Sequence, residues 1–194
     1  MENLYIYIEN EKVDFILKYG MKLSEYVNKI LPVKDQEKKG IIAYLSPKDS
    51  ILYSNENYTC LRVFNEGLKI LIYNKMCERN DILKDFICDF DKYKLGTYED
   101  PIALIYSSIL PENIFIYNKL RDYPLLIETS KDYYYEKFIN EMLDNSYFTN
   151  YELYQLLLIL GEQKKVFSTY KIEDNIKVLK DKKNGKKYIK KSNF

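Results

Sequence analysis

The chain contains no histidine, which removes most familiar catalytic constellations at the start. Ser-His-Asp and Cys-His systems need an imidazole to carry the proton. Ordinary zinc sites lose one of their ligand types. Carboxylates, tyrosine, lysine and cysteine remain for acid–base work. Asp85 and Asp89 stand four residues apart, and Asp91 follows. On a helix, carboxylates at that spacing share a face and suit a hard divalent cation. The plainer reading is the solvated side of an amphipathic helix; it is preferred, and no metal is expected. Tyr133, Tyr134 and Tyr135 are a run of the kind that stacks bases. Consecutive helical positions point in different directions, so they are read instead as packing residues. Cys60, Cys77 and Cys88 are widely spaced, with no CxxC pair, and are read as small buried apolar groups. No glycine-rich phosphate cradle of the Rossmann or P-loop type occurs.

Charge is unevenly spread. Residues 180–194 hold seven lysines and one aspartate in a chain whose net charge is only +1. The expectation is a mildly acidic body and a basic, disordered tail. Lys182, Lys183, Lys186, Lys187, Lys190 and Lys191 form a block able to contact phosphates with strong salt dependence. Nucleic-acid binding through that block is one alternative for function, and plain solubilisation is the other reading. Lysine outnumbers arginine 27 to 3, and there are 21 tyrosines and no tryptophan. An AT-rich genome explains this bias and warns against reading each tyrosine as a binding residue. Arg62, Arg79 and Arg121 stand against the same bias and so carry more information than a lysine.

The elements that must position these groups read as follows. Residues 4–8 form a short strand. A helix follows over 10–20, capped by Asn10 and stopped by Gly20, and a second helix runs from Ser24 to before Pro32. Residues 34–40 are a charged loop, 41–45 a strand, and 47–57 a polar loop. Strands 58–64 and 68–73, separated by Asn65-Glu66-Gly67, read as a hairpin. A helix is expected over 81–90 from the spacing of Ile82, Leu83, Phe86, Ile87 and Phe90. Strands are expected at 102–106, 114–117 and 125–128. Helices follow at 131–144 and 150–160, the last capped by Asn150 and ended by Gly161. Residues 172–180 are weakly helical or extended. The order is not a βαβ alternation, so the fold class is α+β: a mixed or mainly antiparallel sheet with helices packed around it. With 194 residues, 46% of them apolar, residues 1–179 are expected to make one domain. The first residues lack a basic stretch leading into an apolar one, and the longest apolar run, 156–160, is far too short to span a bilayer. The expectation is a soluble cytoplasmic protein with no membrane partner.

One ordered set of segments resembles the ADP-ribosyltransferase-like fold, including DNA-modifying toxins and RNA 2′-phosphotransferases. It comprises Tyr5-Ile6-Tyr7-Ile8, then Phe15-Ile16-Leu17-Lys18-Tyr19-Gly20-Met21-Lys22-Leu23-Ser24, then Ala43-Tyr44-Leu45-Ser46-Pro47. Glu99-Asp100-Pro101-Ile102-Ala103-Leu104-Ile105 and Ile109-Leu110-Pro111-Glu112-Asn113-Ile114 complete it. The resemblance covers about residues 1–120 and rests on pattern order. It implies NAD as cofactor, a pocket lined by Tyr5, Tyr7, Ser46 and Arg62, and Glu99 as the catalytic carboxylate that stabilises an oxocarbenium-like transition state. The family's first strand carries His or Arg to grip the dinucleotide, and here it offers only Tyr5 and Tyr7. A phenol does not replace a guanidinium on a pyrophosphate.

Three functions are therefore weighed. The leading one is a non-catalytic interaction or regulatory protein with a protein partner, on a degenerate ADP-ribosyltransferase-like domain. The others are an NAD-using transferase acting on nucleic acid or protein, and nucleic-acid binding through the lysine block.

Overall fold

The computed structural model describes residues 3–33, 36–77, 83, 85–118, 122, 129–144, 149–173 and 176–191. Contacts divide the chain into two units, Met1–Phe138 and Ile139–Phe194. The class is α+β with antiparallel sheets.

The first unit opens with β1 (Asn3–Glu9), a short 3-10 turn and helix α1 (Val13–Tyr19). Gly20 ends α1 at φ +75°, with its N–H donating to the Ile16 carbonyl. A side chain there would strike the Ile109 carbonyl oxygen, 2.4 Å from the position of a Cβ, so glycine is required on both counts. The second helix shrinks to α2 (Leu23–Tyr26), and β2 (Lys29–Val33) takes the residues expected to extend it. Strand β3 (Gln36–Ala43) replaces most of the charged loop. Its polar start faces solvent at the end of the β2 ladder, where charge costs nothing. Then come β4 (Tyr58–Phe64), β5 (Ile70–Asn74), β6 (Ile87–Asp89), β7 (Pro101–Ile105) and β8 (Ile114–Ile116).

Two sheets result: β1-β4-β8 and β2-β3-β7-β5-β6. Strand β7 is buried along its whole length. Ala103 and Ile105 join the larger core with Leu4, Ile6, Ile16, Leu61 and Val63, while Ile102 and Leu104 join a second core with Leu31 and Tyr73. That is the two-residue period of a strand covered on both faces.

Two expectations fail here for tertiary reasons. The hairpin does not form. The turn at Asn65–Gly67 exists, with Leu68 N–H donating to Asn65 at 3.1 Å. However, β4 pairs with β1 and β8 while β5 pairs with β6 and β7. The helix expected over 81–90 does not form either. Ile87–Asp89 pairs with β5, placing Cys88 opposite Ile72. Residues 81, 82 and 84 lie outside the described residues. The expected strand at 125–128 does too.

Helix α3 (Ser130–Asp144) begins in the first unit. The second unit contains α4 (Asn150–Gln163), β9 (Phe167–Glu173), β10 (Ile176–Asp181) and β11 (Lys187–Lys191), with sheet order β11-β10-β9. Thr149, not Asn150, caps α4, in a reciprocal box with Glu152. Gly161 lies within α4 rather than ending it. The Phe167 ring passes 2.2 Å from where its Cβ would sit, so close packing explains this glycine. The lysine-rich run expected as a tail supplies the end of β10 and all of β11. Lys187–Lys190 pair residue by residue with Lys180–Lys177. No described helix is long and apolar enough to cross a membrane.

Candidate functional site

Alternation along β1 and β4 gives their sheet two unlike faces. Leu4, Ile6, Leu61 and Val63 turn to the core. Tyr5 and Tyr7 occupy the other face, and the register sets Tyr5 opposite Arg62 and Tyr7 opposite Cys60. Phe115 of β8 stands opposite Arg62. The chain after β8 brings Tyr117 alongside, its N–H donating to the Cys60 carbonyl at 2.9 Å. The Tyr5 and Tyr117 rings meet edge to face, with centroids 5.6 Å apart. The face is therefore a ladder of phenols with one thiol and one guanidinium.

A cleft of about 410 Å³ opens at the Tyr7 end of this ladder. Its walls are Tyr7, Tyr53, Tyr58, Cys60 and Tyr117, and its rim includes Ser54, Asn55, Glu56 and Thr59. Tyr53 arrives on a 3-10 turn over Ile51–Ser54, started by Ser50, whose hydroxyl accepts from the Leu52 N–H. The next turn is tied down by Asn10. The Asn10 side-chain amide donates to the Glu56 carbonyl at 2.8 Å, and Asn10 Oδ1 accepts from the Thr59 hydroxyl at 2.8 Å. The rim is thus held before any ligand arrives, which lowers the ordering cost of binding. The same 3-10 turn leaves Ile51 94% exposed.

The raised phenols Tyr5, Tyr7 and Tyr117 are ill suited to act as bases. Tyr7 donates to the Pro47 carbonyl at 2.6 Å. Burial, then the neighbouring Cys60, pushes its pKa far above the usual tyrosine range. Burial, with Tyr117 and Cys60 nearby, lifts Tyr5 to about 12, and burial also raises Tyr117. A general base works best with a pKa near the operating pH, and these shifts run the other way.

The residues implied by the family resemblance do not share this cleft. Tyr7 lines it. Tyr5 is buried beneath its own face at 1% exposure. Ser46 is also buried and caps a turn: its hydroxyl accepts from Lys48 N–H, and its own N–H donates to Asp49. Asp49 in turn accepts from both the N–H and the hydroxyl of Ser130 at the start of α3, at 2.7 and 2.6 Å. Arg62 donates to Asp122 at 2.7 Å, with side-chain exposures of 14% and 2%, and its guanidinium lies over Phe64 and Phe115. Glu99 is 2.6 Å from Lys131 Nζ and accepts from the Tyr135 hydroxyl at 2.8 Å. That contact holds the Lys131 ammonium above its ordinary range. Neither Arg62 nor Glu99 is among the described residues lining the cleft. Arg79 and Arg121 lie outside the described residues.

Of the aspartates weighed as a cation site and read instead as a solvated face, Asp89 pairs with Lys92 at 3.0 Å. Among the described residues, no group of three His, Cys, Asp or Glu is placed to hold a metal ion. Within the lysine block, Lys190 faces α4 and pairs with Glu162 at 2.9 Å, while Lys182, Lys183, Lys186 and Lys187 are exposed. Tyr53, Tyr58, Tyr117 and Asp122 were not singled out by sequence, and Asn10 was read only as a helix cap, whereas its side chain bonds Glu56 and Thr59. With 21 tyrosines in the chain, three more carry no signal until the fold gathers them. No family model, curated protein or solved structure matches this chain.

Proposed function

We propose that the protein is a non-catalytic interaction module, and that the tyrosine-walled cleft on the outer face of β1-β4-β8 receives an apolar or aromatic anchor from a protein partner. The observation that carries this reading is the gathering of Tyr7, Tyr53, Tyr58 and Tyr117 around one cleft with a polar rim. Tyrosine gives a large contact area at low entropic cost and a hydroxyl for orientation, and it is enriched among residues that dominate binding energy. An apolar centre ringed by polar groups is the usual anatomy of such an interface. Exposed Ile51, on the turn that delivers Tyr53, extends the apolar surface beyond what a small ligand would need.

The alternative, an NAD-using transferase, needs Arg62 and Glu99 free to meet a dinucleotide. The internal partners Asp122 and Lys131 instead supply what a ligand would otherwise provide. This favours the binding reading, on a fold whose kinship to ADP-ribosyltransferases stays a proposal.

The test places a photo-crosslinking amino acid at Tyr53, and at exposed Phe15 as a control site. The crosslinked partner is identified and then titrated against Tyr53→Ala and Ile51→Asp. We expect a Tyr53-specific adduct and a loss of affinity of about tenfold or more for Tyr53→Ala, in line with a buried aromatic anchor. Equal labelling at both sites, or unchanged affinity, overturns the reading. NAD turnover that Glu99→Gln abolishes would overturn it in favour of the transferase.

A further inference from the structure

The ladder between β10 and β11 contains two lysine pairs directly opposite one another: Lys177 with Lys190, and Lys180 with Lys187. Like charges in directly opposed positions destabilise a sheet. The first pair is relieved from within. Glu162 of α4 contacts both ammoniums, one oxygen to Lys177 and the other to Lys190. Its carboxyl is held below the ordinary range by those two lysines. The second pair lies three positions along the ladder, on the opposite face, and no described carboxylate reaches either ammonium.

More positive charge sits beside that second pair. The turn from β10 to β11 carries Lys182, Lys183 and Lys186, all exposed. The one acid in the run, Asp181, is committed to the turn: it accepts from the N–H groups of Lys183 and Asn184. The backbone fold of that turn therefore projects three ammoniums without a paired carboxylate among the described residues. Next to them, the bulge in β9 turns Tyr170 outward at 56% exposure, and Lys187 Nζ stands 3.9 Å from its ring centroid. Ile189, 55% exposed, continues the same face.

We infer that this outer face of β9-β10-β11, built on Lys180, Lys182, Lys183, Lys186, Lys187 and Tyr170, is a binding surface for single-stranded nucleic acid. A polyanion supplies the counter-charge that Glu162 supplies on the other face. A sheet face carrying an exposed ring among lysines offers phosphate contacts and a stacking platform together. The ring selects single strands, because a duplex hides the base faces that would stack on it. Relative to the block read from sequence, Lys190 and Lys191 are left out of this set and Lys180 joins it, a choice that the run of lysines in sequence does not make.

The test is fluorescence anisotropy of the full-length protein with a labelled oligothymidylate across a salt series. A matching duplex and phosphatidylserine-containing vesicles serve as competitors. We expect salt-dependent binding with a log–log slope of about −0.7 per lysine engaged. Replacing the five lysines by glutamine should abolish that slope. Tyr170→Ala should weaken binding roughly tenfold with the slope unchanged, as loss of one stacked base would, and Tyr170→Phe should bind as the parent does. These positions are exposed, so circular dichroism melts are expected to stay within a few degrees of the parent. Absence of binding at low salt, indifference to the five-lysine replacement, or equal losses for Tyr170→Ala and Tyr170→Phe each overturn the inference. Stronger competition by vesicles or by duplex than by unlabelled single strand also overturns it.

Discussion

Arg62 and Lys187 make the same kind of contact in opposite settings. Each places a cation over an aromatic ring, Arg62 over Phe64 at 5.2 Å and Lys187 over Tyr170 at 3.9 Å. Arg62 is largely buried and is met by Asp122, itself almost wholly buried. Its charge is spent on holding the segment after β8 against the face of β1-β4-β8. Lys187 lies in solvent, opposite another lysine, with no carboxylate among its described neighbours. The contact type does not separate a structural cation from an available one; the counter-charge and the solvent do. The residue the family resemblance assigns to a ligand is the internally neutralised one. The residue read as part of a tail is the one whose charge still calls for a partner.

Three substitutions press on this difference. Asp122→Asn should have the largest effect, because it leaves a buried guanidinium without its counter-ion. Breaking a buried pair from one side costs about 3–5 kcal/mol, which in a chain of this size lowers the melting temperature by roughly 10 °C. A thermal melt within a degree or two of the parent would mean that Arg62 is not structural and would return it to the candidate ligand-binding set. Glu162→Gln should act next, at no more than about 1 kcal/mol because solvent reaches this cluster. The sign follows from the lowered carboxyl of Glu162. The unfolded chain binds that proton more readily, so the contribution is fully present above the unfolded value of about 4.3 and is lost as pH falls through the lower folded one. Melts between neutral and strongly acid pH should show the variant weaker at neutral pH, with the two curves converging in acid. Parallel curves would remove Glu162 as the neutraliser of the Lys177–Lys190 pair. Lys187→Gln should change stability least, within about 0.5 kcal/mol and in the stabilising direction, because it relieves the repulsion from Lys180. A clear destabilisation in urea titrations would show that Lys187 serves the fold after all.

Legibility followed the range over which each feature is decided. The bounds of β4, 58–64, were read correctly, because alternation and β-branched or aromatic content are local. Gly20 was readable as a helix stop for the same reason. The stretch 81–90 misled: five apolar residues at helical spacing fit by chance, and the open edge of β5 claimed 87–89 instead. Among site residues, Tyr7 was reached through the resemblance, whereas Tyr53, Tyr58 and Tyr117 became visible only once two turns and a sheet register brought them together. Lys190 and Lys187, three apart in one run, carry the same sequence signal. Strand alternation sends one to Glu162 and the other to solvent.

The turn at Asn65–Gly67 reverses the chain, yet its two arms enter different sheets, and this shapes how the chain must assemble. As synthesis proceeds, β1 can pair with β4 and β2 with β3. Strand β5, by contrast, has no partner behind it: both of its neighbours, β6 and β7, are still to be made. Strand β3 waits for the same β7 on its inner edge. Until Pro101–Ile105 emerges, β5 and the apolar Ile41–Ala43 end of β3 border one empty slot, an arrangement that invites pairing with another chain. A nascent or truncated chain ending before residue 101 is therefore the aggregation-prone form, and filling that single slot closes both exposed edges at once.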